Sequence, residues 1–256
     1  MDPATIIGIV LGFGAIFGSM VMEGGDPAAL LIIPALILVL GGTIGACMAS
    51  GTLKDTIGVG KQFQRALMSK LTPAGDLVES VVTLADRARR EGLLALEDAA
   101  KDVTDPFLRR GLEMAIDGTD AEELREILEG EVDSKRKADK TAAKFFSDAG
   151  GYSPTIGIIG TVIGLVHVLE SLSEPAKLGH LIAGAFVATL WGVMLANVLW
   201  LPLGNRLKRI SELECAQMEL AIEGILAIQG GANPRLVAQK LHSLLPPSER
   251  PKAEAA

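Results

Sequence analysis

The sequence predicts an all-α membrane protein: four transmembrane helices, a helical cytoplasmic domain between spans two and three, and a helical cytoplasmic tail. Three observations carry that expectation. The 256 residues are 49% hydrophobic but only 4% aromatic, too apolar and too poor in aromatics for an ordinary soluble domain of this size. The apolar residues cluster in four runs almost free of charge, 6–22, 28–49, 152–169 and 181–203. Basic residues gather in the two long segments outside those runs, and the short loops hold a single one, Lys177.

Crossing a hydrocarbon core takes roughly 17–25 helical residues, and each run is that long. The runs are continuous rather than alternating, unlike barrel strands. The run 6–22 has no basic segment before it and another apolar run directly after it, so it reads as a span rather than a secretory signal. The following loop holds Glu23 and Asp26 and no base. Of the 24 Lys and Arg, 16 fall between Lys54 and Lys144 and seven between Arg206 and Lys252. The positive-inside tendency then places the middle segment, the tail and both termini in the cytoplasm, with the short loops outside. The expected organisation is a transmembrane hairpin at 1–50, a cytoplasmic helical domain at 51–147, a second hairpin at 148–204 and a cytoplasmic tail at 205–256.

The cytoplasmic segment reads as helical throughout. Thr72-Pro73 is a start signal, and 76–90 follows with Leu77, Val81 and Leu84 on one face. Gly92 interrupts, 93–101 continues, and Asp105-Pro106 opens a helix through Ile116. Thr119 and Glu122 have capping-box spacing, which predicts a helix over 122–146 with Leu124, Ile127, Leu128 and Val132 as its apolar stripe. The fourth span is expected to extend as a helix over 204–228. Gly230-Gly231 breaks it, and Asn233-Pro234 starts a last short helix. Pro246-Pro247 and the Lys/Glu/Ala end read as disordered. The net charge of −7 gives no nucleic-acid surface. The tract Lys135-Arg136-Lys137 is expected to be a solvated helix face near lipid headgroups. Cys47 and Cys215, far apart and in different surroundings, are expected to be free thiols.

The spans are built for close packing. Gly8 and Gly12, Gly14 and Gly18, Gly160 and Gly164, and Gly192 and Ala196 are each four apart, the spacing that lets helices in lipid approach closely. Such pairs serve packing within one bundle or between subunits. On a helical wheel Pro154, Gly157, Thr161 and Gly164 share one small, weakly polar face, opposite Ile158, Ile159, Val162, Ile163 and Leu165. Thr189, Gly192 and Ala196 repeat the pattern in span four. Two threonines on matched stripes line a narrow polar path; a hydroxyl bonding its own i−4 carbonyl is the alternative. Ion paths in membranes usually need an ionisable group at depth. None of the four runs holds a carboxylate, and His167 sits near the outer end of span three, with Glu170 and Glu174 at the outer mouth. If the protein moves ions, the carrier carboxylate must come from another chain. No P-loop, Cys/His metal spacing or Ser–His–Asp set occurs, so no enzyme is expected; His180 and His242 are isolated.

Several stretches resemble the stator A-subunits of the bacterial flagellar motor, the MotA and PomA family, within the wider group that includes TolQ and ExbB. The start Met1-Asp2-Pro3-Ala4-Thr5-Ile6-Ile7-Gly8 is similar to the PomA start. Ala88-Arg89-Arg90-Glu91-Gly92-Leu93-Leu94-Ala95-Leu96-Glu97 is similar to the stator cytoplasmic motif. Pro154-Thr155-Ile156-Gly157-Ile158-Ile159-Gly160-Thr161 resembles the third-span signature, and Ala188-Thr189-Leu190-Trp191-Gly192 with Ala196-Asn197 the fourth. Leu226-Ala227-Ile228-Gln229-Gly230 with Asn233-Pro234-Arg235 resembles the tail.

The resemblance implies a ring of five such subunits around two copies of a B-subunit of the MotB or PomB type, whose single span bears the ion-carrying aspartate. Inward Na+ or H+ flow would turn the ring, and the cytoplasmic lobe would push the rotor protein FliG. It implies Arg89, Arg90 and Glu97 as rotor-facing charges, Pro154 and Pro202 as the prolines coupling ion binding to lobe movement, and Thr161 and Thr189 as residues beside the ion path. A threonine at Thr161 goes with sodium-type members, and its hydroxyl is a possible Na+ contact, whereas His167 resembles some proton-type sequences. The family often has Asp three residues before the third-span proline; here Gly151 stands there, with Asp148 one turn earlier. The rival expectation is a TolQ/ExbB-type motor subunit energising the cell envelope, which lacks the Arg89–Glu97 motif.

Overall fold

The computed structural model describes residues 3–70, 73–247 and 249–250. Among the described residues there are ten α-helices and no strand. They are α1 (Ala4–Met22), α2 (Ile33–Ser50), α3 (Leu53–Met68), α4 (Ala74–Glu91), α5 (Leu96–Asp102), α6 (Pro106–Ile116), α7 (Ala121–Glu170), α8 (Pro175–Leu195), α9 (Leu201–Gln229) and α10 (Pro234–Leu244). Short 3-10 turns occupy Pro27–Leu30 and Leu93–Ala95, and a wider π turn at Ala196–Trp200 joins α8 to α9. Four helical stretches are long and apolar enough to cross a membrane: α1, α2, α7 and the α8–α9 stretch Pro175–Gln229. The chain forms two compact units, one of the chain up to Ser69 with Asp139–Ile210, the other of Lys70–Ala138 with the chain from Ser211 onward.

In the first unit, α1 presents Ile9, Phe13, Phe17 and Met20 to the core, one residue per turn. The buried positions of α2 are Ala35, Val39, Thr43 and Cys47, again four apart. They meet Phe146, Ala188, Leu195, Trp200 and Leu203 of the later helices. The Trp191 indole donates to the carbonyl of Leu30 at 2.7 Å and so ties the 3-10 turn to α8. Helix α3 precedes Thr72-Pro73, the first start signal read in the cytoplasmic segment. Thr52 caps it: its hydroxyl accepts from the Asp55 N–H while the Asp55 carboxylate accepts from the Thr52 N–H. Its far end is held by a two-pronged ion pair, Arg65 to Asp139 at 2.5 and 3.1 Å, with Asp139 buried.

The second unit packs α4, α5, α6, the first turns of α7, the later part of α9 and α10 around Val78, Val81, Leu96, Leu112, Leu124, Leu128, Ile225 and Leu241. Helix α4 realises the segment expected at 76–90, while Thr72 of its start signal lies outside the described residues. The segment expected at 93–101 is a 3-10 turn followed by α5, because Gly92, at φ +87°, redirects the chain. Asp105 caps α6 by accepting from the Leu108 N–H at 2.8 Å.

Helix α7 departs from expectation at both ends. Its cap is Asp120, which accepts from the Glu122 N–H at 2.9 Å. The Thr119 carbonyl instead accepts from the Gln229 side chain at 2.6 Å. The helix does not end at Phe146 but runs on to Glu170 through Gly150, Gly151 and Pro154. Packing overrides the local breakers: a Cβ at Gly150 would lie 2.4 Å from Leu201, so glycine is needed there for contact rather than for a turn. In the Lys135 tract, Lys135 pairs with Glu214 at 2.5 Å and Arg136 with Asp133 and Glu219, while Arg136 and Lys137 lie on the exposed face of α7. Past α9, Gly231 at φ +65° turns the chain and Asn233 caps α10, as the sequence led one to expect. Cys47 and Cys215 are buried free thiols.

Candidate functional site

The small-residue faces predicted for α7 and α8 meet each other. A Cβ on Gly157 would lie 2.9 Å from the Ala188 carbonyl oxygen and 3.0 Å from Thr189 Cα. A Cβ on Gly192 would lie 2.6 Å from the Ser153 carbonyl oxygen, and one on Gly164 2.5 Å from Ala185. The backbones therefore touch along three helical turns. The opposite positions of α7, Ile158, Ile159, Val162, Ile163 and Leu165, are exposed. Gly160 and Gly164 thus pack within the chain, and Gly12 meets Val198, while Gly8, Gly14 and Gly18 face open space.

Inside this seam the two threonines are brought together. Their hydroxyls hydrogen-bond to each other. Thr161 Oγ1 also lies 3.3 Å from the Gly157 carbonyl and 3.2 Å from that of Ala185. Thr189 Oγ1 donates to the Gly157 carbonyl at 3.1 Å. Two hydroxyls and two carbonyls form a cluster of four neutral oxygens between two spans, and no carboxylate of α1, α2, α8 or the apolar part of α7 approaches it. The i−4 contact of Thr161 is present, but the bonds across the seam make the cluster more than a local back-bond.

Ser153, which the sequence reading passed over, is fully buried one turn before Gly157, and its hydroxyl donates to the Gly192 carbonyl at 2.9 Å. Its neighbour Pro154 has no N–H to return to the carbonyl of Gly150, so the α7 ladder is interrupted at the level where α8 is bonded. Pro202 does the same to Val198 in the following stretch. There the π turn at Ala196–Trp200 widens the backbone just ahead of the proline ring, which relieves the clash a proline makes with the carbonyl four residues back. Asn197 in that turn donates to the Val193 carbonyl at 2.9 Å.

The remaining expected site residues belong to the second unit. Arg89 and Arg90 are exposed in the last turn of α4, and Glu97 is exposed in the first turn of α5. Arg90 pairs with Asp86 at 2.7 Å. Beside Glu97, the Asp98 carboxyl is held below its usual range by a hydrogen bond from Lys101 and by that residue's charge. In the first unit, Asp148 pairs with Lys144 one turn away, and His167 is exposed. Among the described residues no cluster of His, Cys, Asp or Glu could hold a metal ion.

Four stretches long and apolar enough to cross a membrane, a polar cluster in the seam of the last two, and a separate helical unit define a multi-pass membrane protein. Residues 6–92 match the family model for the motility protein A N-terminal region, and 99–220 match that of the MotA/TolQ/ExbB proton channel family. Motility protein A of Bacillus subtilis (strain 168) is 40% identical over 253 residues, 98% of this chain and 94% of that one. The chemotaxis protein PomA of Vibrio alginolyticus is 31% identical over 250 residues, 98% of this chain and 98% of that one. Among solved structures, the C. jejuni MotAB structure superposes with a TM-score of 0.93 at 29% identity, covering 99% of this chain and 100% of that one. The flagellar MotAB stator complex of Bacillus subtilis gives 0.88 at 40% identity, covering 96% and 97%. The chain belongs to the motility protein A family.

Proposed function

We propose that this protein is the A-subunit of a flagellar stator, which with a MotB- or PomB-type B-subunit conducts cations inward and converts their flow into torque on the rotor. The observation that carries the reading is the four-oxygen cluster of Thr161, Thr189, Gly157 and Ala185, set between two spans with no carboxylate beside it. Such a cluster offers dipoles to a passing cation but no charge to bind it, so the carrier charge must come from a partner. The match to a motility-specific N-terminal model, beyond the wider MotA/TolQ/ExbB group, supports a stator over an envelope-energising subunit.

Sodium is the proposed coupling ion. Hard cations take oxygen ligands, and this seam presents hydroxyl and carbonyl oxygens in a cluster. The carbonyls left without helical partners by Pro154 and Pro202 add further acceptors along the same two helices. In the proposed cycle, ion arrival changes the demand on these oxygens, α7 bends at Pro154 and α9 at Pro202, and both helices continue into the second unit. Arg89, Arg90 and Glu97 would then meet FliG. Five copies in a ring around two B-subunits, with both termini in the cytoplasm, complete the proposed assembly. The test is swimming speed against external sodium at fixed pH, with this protein and its own B-subunit in a stator-deleted host. Speed that saturates with sodium supports the reading; speed indifferent to sodium but set by the proton gradient replaces sodium with H+.

A further inference from the structure

We infer that the first turns of α3 form an anionic-phospholipid anchor, in which Leu53 and Ile57 enter the leaflet next to span two while Lys54 and Lys61 bind lipid phosphates. Only Gly51 and Thr52 separate α3 from the end of α2. Three peptide steps reach at most about 11 Å, so Leu53 cannot leave the neighbourhood of the membrane boundary. Helix α3 already covers one apolar face: Val59, Phe63, Ala66 and Leu67 pack into the core of the first unit. Leu53 and Ile57 are not on it. They remain 65% and 75% exposed.

Leu53, Ile57 and Lys61 are spaced by four and so form one outward stripe, with Lys54 beside Leu53. Both lysines are exposed. The other charges of α3 are committed: the Asp55 carboxylate turns back to the N–H and hydroxyl of Thr52, and Arg65 to Asp139. What α3 shows outward is therefore aliphatic and cationic. A lysine stem lies along apolar surface while its ammonium reaches the phosphates, the arrangement of interfacial helices. Lys140 of α7 and Lys208 of α9 are also exposed. Lys140 adjoins Asp139, the partner of Arg65 on α3, and Lys208 adjoins Leu207 of the same core cluster. Cations at this level attract the anionic headgroups of a cytoplasmic leaflet. Lys135 and Arg136, by contrast, are paired with acids of α9.

The test uses the full chain in complex with its B-subunit. A spin label at Ile57→Cys, in vesicles of phosphatidylglycerol and phosphatidylcholine, is probed with oxygen and with a water-soluble nickel chelate. Oxygen-dominated relaxation is expected. Dominance of the nickel chelate would place the residue in water, and shielding from both probes would place it under a second copy of the chain; either result overturns the anchor. In native mass spectrometry of the detergent-extracted complex, phosphatidylglycerol should be retained in preference to phosphatidylcholine. Each lysine near an anionic surface contributes about fivefold, so Lys54→Gln with Lys61→Gln should cut that preference about 25-fold at unchanged complex mass. An equal preference in both proteins would refute the lysine assignment. Neither readout depends on motility, so the anchor and the stator reading can fail separately.

Discussion

The hydroxyl of Ser153 donates to the carbonyl of Gly192 at 2.9 Å, one residue before the proline that interrupts α7. The bond fixes α8 against α7 at the very turn where α7 is free to bend. Above it lie the paired threonines, so anything that alters their oxygens acts on a seam already pinned from below.

Substitution in this seam should separate packing from polarity. Gly192→Ala would put a methyl group 2.6 Å from the Ser153 carbonyl oxygen and 3.1 Å from Gly157 Cα, both backbone atoms that cannot step aside. Overpacking of this kind costs about 1–3 kcal/mol and should depress assembly of the complex. Ser153→Ala removes one hydrogen bond, worth about 0.6 kcal/mol between membrane helices, and should leave assembly intact. Thermal unfolding of the purified complex ranks the two; the opposite order would contradict the seam as described.

Thr161→Ala removes one oxygen from the cluster and leaves the helix otherwise unchanged. Loss of a polar contact of about 1.4 kcal/mol should raise the sodium concentration for half-maximal swimming about tenfold. Thr161→Ser, which keeps the oxygen, should restore it. Pro154→Ala is expected to abolish swimming while the complex still assembles, because it returns the missing N–H to the Gly150 carbonyl and stiffens the bend. A passive scaffold predicts normal swimming in both variants.

Reversal of charge at Arg89 and Glu97 should impair torque with assembly intact. Both side chains are exposed, and surface changes of this kind usually alter stability by no more than about 0.5 kcal/mol. The measurement is rotation speed of tethered cells together with the yield of membrane-inserted complex. Normal torque in the double reversal, with the rotor unchanged, would remove these residues from the interface.

The second unit carries its own acid sensitivity. Burial alone would raise the Glu223 carboxyl, but hydrogen bonds from Lys240 and Arg125 outweigh it and hold its pKa below the usual range. A lowered folded pKa means the folded state binds its proton less readily than the unfolded chain. The stabilisation is therefore complete above the unfolded value of about 4.3 and is lost as pH falls through the lower folded value. Glu223→Gln should cost about 2 kcal/mol near neutral pH and flatten the acid limb of the unfolding profile below about pH 4.3.

Much of this architecture was legible because the bilayer leaves few choices. A continuous apolar run in lipid must be a helix, and a glycine–threonine stripe on one helix finds its match on the next. Thr161 and Thr189 could be paired from spacing alone for that reason. The first turns of α3 could not. Gly58, Gly60 and the mixture of Lys54, Asp55, Gln62 and Gln64 blur its period, and only the Thr52–Asp55 spacing announces it. The continuity of α7 was hidden for a different reason. Gly150, Gly151 and Pro154 are local stop signals, and only the contact between Gly150 and Leu201 shows that they serve packing. Ser153 carried no signal of its own, since its partner is a backbone carbonyl in another helix.

The wide turn at Ala196–Trp200 holds one residue more than an α-helical turn would. Everything after it is consequently offset by about 100° around the helix axis from where an unbroken α8 would have placed it. The two halves of this stretch keep separate phases, and the surplus residue is the splice between them. Deleting one residue there would turn every later side chain by that angle, so the length of this turn is as much a part of the protein's specification as the identity of any residue in it.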